Sequence, residues 1–110
     1  MPGYFLLRRG ATGKFSFDLK DCNHATLLSS ENYLSKDAAV EGIVAVQKFA
    51  SEDARFERVG AGNGHAYFVL KARNAEVIGH SEIYPSAAAL EHAIAVVKSY
   101  GGVTEVRDLA

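Results

Sequence analysis

The chain has 110 residues, 48% of them apolar, which makes one ordinary domain with enough material for a core; 12 basic and 13 acidic residues leave a net charge of −1. That balance gives no electrostatic case for nucleic acid, whose partners carry a concentrated positive face, and no run approaches the ~18 apolar residues of a membrane span. Met1-Pro2-Gly3-Tyr4 lacks the stretches of a signal peptide, and the single Cys22 cannot close an internal disulfide, so the expected setting is the cytoplasm.

In chain order, Tyr4 to Arg9 reads as a strand that ends at Gly10-Ala11-Thr12-Gly13. Phe15 to Lys20 alternates strictly, placing Phe15, Phe17 and Leu19 on one face and Ser16, Asp18 and Lys20 on the other. Asp21 to His24 is a turn, and Ala25 to Ser29 a short third strand. The periodicity then changes. Ala39, Ile43, Val46 and Ala50 form one stripe of a helix from about Lys36 to Phe49, with Ser35 as its N-cap. Neither Ser35 nor Ser86 has Glu or Gln three residues on, so no capping box forms.

Arg55 to Val59 is the next strand, and Gly60-Ala61-Gly62-Asn63-Gly64 is a hairpin turn rich in residues that tolerate positive φ. This glycine run joins two strands and lacks the helix N-terminus that phosphate loops use. Tyr67 to Lys71 and Glu76 to His80 are strands. Leu90, Ile94 and Val97 mark a helix from about Ala87 to Tyr100, capped by Ser86 and stopped by Gly101-Gly102, where glycine commonly turns left-handed. Val103 to Leu109 has enough β-formers for a last strand.

The second half repeats the first. A shift of 51 positions sets Gly13 on Gly64, Phe17 on Phe68, Leu19 on Leu70, Lys20 on Lys71 and Asn23 on Asn74. It sets Ser30-Glu31-x-Tyr33-x-Ser35 on Ser81-Glu82-x-Tyr84-x-Ser86, and Ile43 on Ile94, without a gap. Each copy is β-β-β-α with a strand after the helix, and alone would bury too little to be stable. The fold class is therefore α+β: one domain over residues 1–110, made of repeats at about 4–50 and 55–109. Their strands merge into a single antiparallel sheet with both helices on one face. Phe17, Phe68, Leu19, Leu70, Ile43 and Ile94 are its expected core. Gly42 and Ala93 share a repeat position where small side chains let the helices approach their neighbours.

The pattern Gly-x-(aromatic)-x-Phe-x-Leu-Lys-x-x-Asn, then Ser-Glu-x-Tyr-x-Ser and a helix, resembles the YegP-like family of small bacterial proteins from Tyr4 to Leu109. The resemblance implies a domain of unknown function in which single-copy members dimerise and double-copy members are tandem repeats. It also implies two β(3)-α-β units that exchange their last strands. On that reading Arg55 to Val59 serves both copies, and Val103 to Leu109 returns to pair near Tyr4 to Arg9. The family usually has Asn-Gly in the second turn, where this chain has Asn23-His24 and Asn74-Ala75; Asn itself tolerates the left-handed region. The family brings no established activity.

Among residues that could carry chemistry, Glu31 and Glu82 are the acidic residues that recur in both copies. They could meet as a carboxylate pair with split pKa values. The structural alternative, which is preferred, has each accept backbone amides where the third strand turns to the helix. Tyr33 and Tyr84 could stack on a ligand, but buried rings with satisfied hydroxyls are the simpler reading. Lys20 and Lys71, with Arg73, could hold an anion or lie on a solvated face. His24, His65, His80 and His92 do not recur and have no metal-ligand spacing. Cys22-Asn23-His24 lacks an oxyanion hole and an orienting group. No catalytic residue, metal or cofactor is assigned. The leading expectation is a non-enzymatic module whose exposed sheet face or loops bind an unknown protein or another copy of itself. The rival is a small-molecule site or enzyme at the seam, using Glu31, Glu82, Tyr33 and Tyr84. Nucleic acid on the sheet face (Tyr67, Lys71, Arg73, Lys20) is the weaker alternative.

Overall fold

The computed structural model describes residues 3–110, which form seven strands, two helices and one 3-10 turn. Strands β1 (Tyr4–Arg9), β2 (Phe15–Lys20) and β3 (Thr26–Ser30) lead into helix α1 (Lys36–Phe49). The 3-10 turn Asp53–Arg55 precedes β4 (Phe56–Gly62), β5 (His65–Lys71), β6 (Val77–His80), helix α2 (Ala87–Tyr100) and β7 (Val106–Asp108). Ser35 and Ser86 cap the helices, their hydroxyls accepting from Ala38 and Ala89 amides at 3.1 Å. The turn between β4 and β5 contracts to Asn63-Gly64, both at positive φ, so these strands run longer than their sequence pattern indicates.

All seven strands lie in one sheet in the order β4-β5-β6-β3-β2-β1-β7. Every neighbouring pair is antiparallel except the last, where β7 runs parallel to β1 with Phe5 opposite Val106 and Leu7 opposite Asp108. The sheet is thus mixed, which corrects the wholly antiparallel sheet expected from sequence. The reason is the connection: α2 carries the chain from β6 past β3, β2 and β1 to the far edge, where β7 enters beside β1 in the same direction. This edge pair carries the strand exchange, since the second repeat's last strand closes the first repeat's sheet. Strand β4 follows α1 and opens the second repeat, but its ladder runs to β5 alone among the described residues.

The two repeats meet about a pseudo-two-fold axis that the sequence shift itself locates. Strands β3 and β6 are repeat equivalents and pair antiparallel, with Ser29 opposite its own counterpart His80. At the far end of the helical layer Ala50 and its counterpart Gly101 touch; a Cβ on Gly101 would lie 2.3 Å from that of Ala50. Gly101 keeps a right-handed φ of −60°, so it ends α2 by fitting against α1 and not by the left-handed stop expected. Gly79 answers the same crowding at the sheet. A Cβ there would lie 2.6 Å from the Ser29 carbonyl oxygen and 3.3 Å from Cγ of Leu28, the residue it matches in the first repeat.

Both helices cover one face of the sheet. Phe5, Phe17, Leu19, Leu28, Phe68 and Leu70 point into that layer, and Ala39, Ile43, Val46, Leu90, Ile94 and Val97 meet them, all buried. All six expected core residues are among them. Gly42 makes room for strand-borne rings: a Cβ would sit 2.6 Å from the Tyr33 hydroxyl and 2.8 Å from Phe17. The clearest break in symmetry is Arg58, which stands where the first repeat buries Leu7. Its guanidinium takes Glu91 of α2 at 2.7 and 3.0 Å and Asp53 at 3.0 Å, while Lys98 reaches Asp53 at 2.7 Å. Hydrogen bonds from Lys98, then Arg58, hold the Asp53 carboxyl below its usual range, and Arg58 does the same for Glu91.

The second turn of each repeat also departs from expectation. The left-handed residues are His24 (φ 65°) and Ala75 (φ 68°), not the asparagines before them. These are the positions where the resembling family places glycine, so the backbone is retained and the side chain strained. An L-residue there costs about 1–2 kcal/mol, while glycine gives back about 0.4–1 kcal/mol through the unfolded chain. Ala75→Gly should therefore stabilise by up to about 1 kcal/mol in urea unfolding; a loss of stability would show the strain is absent. A second expectation follows from the axis. Residues 1–52 alone would bare the β3 edge and lose the α2 contacts, so they should be unfolded or dimeric. A monomeric half with a sigmoidal urea transition, seen by sedimentation and circular dichroism, would refute it.

Candidate functional site

The recurring Ser-Glu-x-Tyr-x-Ser segment builds a β-bulge at the end of β3 and again at the end of β6. On β2, Asp18 pairs with Ser29 but Phe15 pairs with Tyr33, so four residues span the distance of three. On β5, Val69 with His80 and Ala66 with Tyr84 repeat the mismatch. The serine hydroxyl repairs it. Ser30 Oγ accepts from the Phe17 amide at 2.8 Å and donates to the Glu31 carbonyl at 2.8 Å. Ser81 Oγ accepts from the Phe68 amide at 3.0 Å and donates to the Glu82 carbonyl at 2.7 Å.

Glu31 and Glu82 therefore do not hold the turn with their carboxylates, as the preferred reading expected; the serine before each one does. Nor do they form a facing pair. Each lies two residues beyond the Ser29–His80 pair in opposite directions, so they fall on opposite sides of the axis, about 14 Å of backbone apart at the ~3.4 Å rise of an ideal strand. Glu31 Oε2 sits 3.6 Å from Nδ1 of His80, both half-exposed. Glu82 is exposed, and its carboxylate has no ion pair or hydrogen bond among the described residues.

Tyr33 and Tyr84 are half-buried and sit at the bulges, Tyr33 stacked on Phe17 with planes 9° apart. Burial first, then the Glu31 and Glu76 carboxylates, push the Tyr33 hydroxyl's pKa up; burial, then Glu82, does so for Tyr84. A cavity of about 300 Å³ lies at the seam between α1 and the β5–β6 turn. Tyr33, Glu41 and Glu76 line it, but Glu31, Glu82 and Tyr84 do not. Lys20 and Lys71 lie in different repeats with their own partners: Lys20 donates to Thr26 Oγ1 at 2.5 Å, and Lys71 pairs with Glu57. Arg73 stacks over Phe49, 5.7 Å from its ring centre. The cations thus do not converge on an anion site. His24 Nδ1 meets the Tyr4 hydroxyl at 2.7 Å and Cys22 is exposed. No cluster of three metal-ligating side chains occurs among the described residues, and none of their helices is long and apolar enough to cross a membrane.

What sequence reasoning missed is which half of the open sheet face, the one that carries no helix, is apolar. Here the two repeats serve as controls for each other. In the first, Arg8, Ser16, Asp18, Thr26 and Asn32 occupy positions that the 51-residue shift sets on Val59, Tyr67, Val69, Val77 and Ile83. Five polar positions thus become apolar or aromatic in the second repeat, with two exchanges the other way (Tyr4 to Arg55 and Leu6 to Glu57). The first-repeat half is dressed with polar contacts, among them Arg8 to Asp18 at 2.8 Å. The second-repeat half holds a shallow depression of about 390 Å³ lined by Tyr67, Val69, Val77 and Ile83, with Glu31 and His80 at its edge. Ile83 is 62% and Val77 38% exposed. The signal was available in the sequence as the non-identical positions of the alternating strands.

The sequence profile of a family described as "Domain of unknown function (DUF1508)" matches residues 11–57 and again residues 61–108. YegP of Escherichia coli K12, a UPF0339 protein, is 41% identical over 108 residues, covering 98% of each chain. A UPF0339 protein of Bordetella pertussis is 46% identical over 99 residues, 90% of this chain and 88% of its own. The solution NMR structure of the Escherichia coli protein, itself described as of unknown function, superposes with a TM-score of 0.93 at 40% identity, covering 99% of this chain and 94% of that one. A UPF0339 protein of Shewanella oneidensis gives 0.93 at 38% identity, covering 99% and 92%.

The bulge geometry separates serine from glutamate by experiment. Ser81→Ala strands the buried Phe68 amide and should cost about 1–3 kcal/mol, whereas Glu82→Gln at an exposed position should stay within about 0.5 kcal/mol. Urea unfolding of both variants at neutral pH is the check. The reverse order would return the anchoring role to the carboxylate.

Proposed function

The chain belongs to the DUF1508 family, a family of unknown function, and from that premise we propose that it is a non-enzymatic module that binds a partner protein through the open sheet face of its second repeat. The observation that carries this reading is the polar-to-apolar change at Val59, Tyr67, Val69, Val77 and Ile83. The positions facing the helices stay apolar in both repeats, Arg58 for Leu7 excepted, and packing against the helices does not demand the open-face differences. An apolar patch rimmed by polar groups is what a protein-binding surface presents. The exposed Cys22 thiol supports a reducing setting, the cytoplasm. A small molecule at the seam is the second reading, favoured by the cavity of about 300 Å³ beside Tyr33. Thermal shift against a metabolite panel would test it, a hit counting only if Ala38→Leu, which narrows that cavity, removes it.

The main reading is tested by placing a photo-crosslinking residue at Ile83 and, as the matched control, at Asn32. In bacterial cells the first should give a discrete crosslinked protein and the second should not. Equal yields at both positions, or none at Ile83, would sink the proposal.

A further inference from the structure

The depression on the second repeat is apolar within and acidic around. Glu31 stands at its edge beside His80. Glu57 lies opposite Val69 in the β4–β5 ladder, on the same face, and pairs with Lys71. Glu82 follows two residues after His80 and is exposed. Glu31 and Glu57 thus border the depression beside one lysine, and Glu82 stands in the chain between Ser81 and Ile83, which line it. Glu31 and Glu82 are the two carboxylates that recur between the repeats, and neither is needed to hold its bulge, because Ser30 and Ser81 do that.

We propose that this face is the docking site for a basic amphipathic segment of a partner protein: an apolar side chain fills the depression, and Lys or Arg side chains reach Glu31 and Glu82. The inference rests on the interaction-module reading and adds the chemistry of the partner. Charge complementarity selects this occupant. A second copy meeting the first face to face about a two-fold would set the acidic rim against itself, which costs free energy. A polyphosphate backbone meets the same repulsion. A basic segment gains from the rim in steering and in specificity, while the apolar floor supplies the contact that excludes water.

The probe is a pair of synthetic peptides, Lys-Leu-Lys-Phe-Lys-Leu-Lys and its counterpart with Glu in place of every Lys, titrated into the full-length 15N-labelled chain. The basic peptide should shift the amides of Tyr67, Val69, Val77, His80 and Ile83, and should bind at least about tenfold tighter than the acidic one. The preference should shrink at about 0.5 M salt, where charges more than roughly 5 Å apart are screened. It should invert in a chain carrying both Glu31→Lys and Glu82→Lys, whose fold is checked by its unchanged amide spectrum outside the patch. Equal binding of the two peptides overturns the proposal. So do shifts confined to the first-repeat face at Arg8, Ser16 and Thr26, or no binding of either peptide at millimolar concentration. A concentration-dependent dimer whose interface maps to Ile83 would replace the basic partner with a second copy and also overturns it. The two ideas fail separately: crosslinking at Ile83 with no basic preference keeps the module and removes the basic partner, and no crosslinking removes both.

Discussion

Antiparallel pairing of β3 with β6 is the contact on which the rest of this molecule depends. It joins two half-sheets, each too small to stand alone, into one surface broad enough for two helices to cover. Because the paired strands are repeat equivalents, their register sets the symmetry: with Ser29 opposite His80, every other element of one repeat is placed by its twin. The helices must then meet at the same axis, and they do so at Ala50 and Gly101. Near an axis two equivalent side chains compete for one volume. Leu28 and Gly79 resolve that competition on the sheet, and Ala50 and Gly101 resolve it between the helices. Those are the places where a duplicated sequence has to stop being identical, and the reason is steric.

Much of this was legible in the chain, because alternation and helical stripes report burial directly. Both helices, their serine caps and the core set of Phe17, Phe68, Ile43 and Ile94 follow from periods of two and 3.6. Three things were not legible, each for a physical reason. The parallel β7 edge depends on where α2 delivers the chain, and no local pattern encodes that direction. The left-handed residue of the second turn is His24 or Ala75, which the asparagine before each one disguises, since Asn itself tolerates that region. And in Ser-Glu-x-Tyr-x-Ser the recurrence marks a segment, without saying which side chain bears the load. A short hydroxyl one residue from the bulge reaches the missing ladder partner, whereas the longer carboxylate points out to solvent.

The same logic separates fold from function in a tandem repeat. Positions facing the helices are constrained twice, once in each copy, and remain apolar, with Arg58 for Leu7 as the exception. That exception is local: in place of burying an aliphatic chain, the second repeat joins β4 to α2 through Glu91 and Asp53. Exposed partners of this kind are worth little singly, but a guanidinium shared by two carboxylates fixes geometry better than one pair does. Alternating opposite charges at Glu57 and Arg58 also suit an edge strand. Symmetric self-pairing centred on either residue would place like charges together, which discourages edge-to-edge association.

On the open face neither helix nor partner repeat constrains the side chains, so what stands there reflects solvent or a binding partner. Water is served by the first repeat's choice of Arg8, Ser16, Asp18, Thr26 and Asn32. The second repeat's choice of Val59, Tyr67, Val69, Val77 and Ile83 serves water badly. Burying apolar surface is worth about 25 cal/mol per Å², so a few such side chains amount to a meaningful fraction of a transient interface's energy but not to an obligate one. That scale accords with the proposed occupant, a segment of a partner protein. Divergence between two copies of one fold is thus what the proposed docking face rests on, because the shared fold demands neither choice.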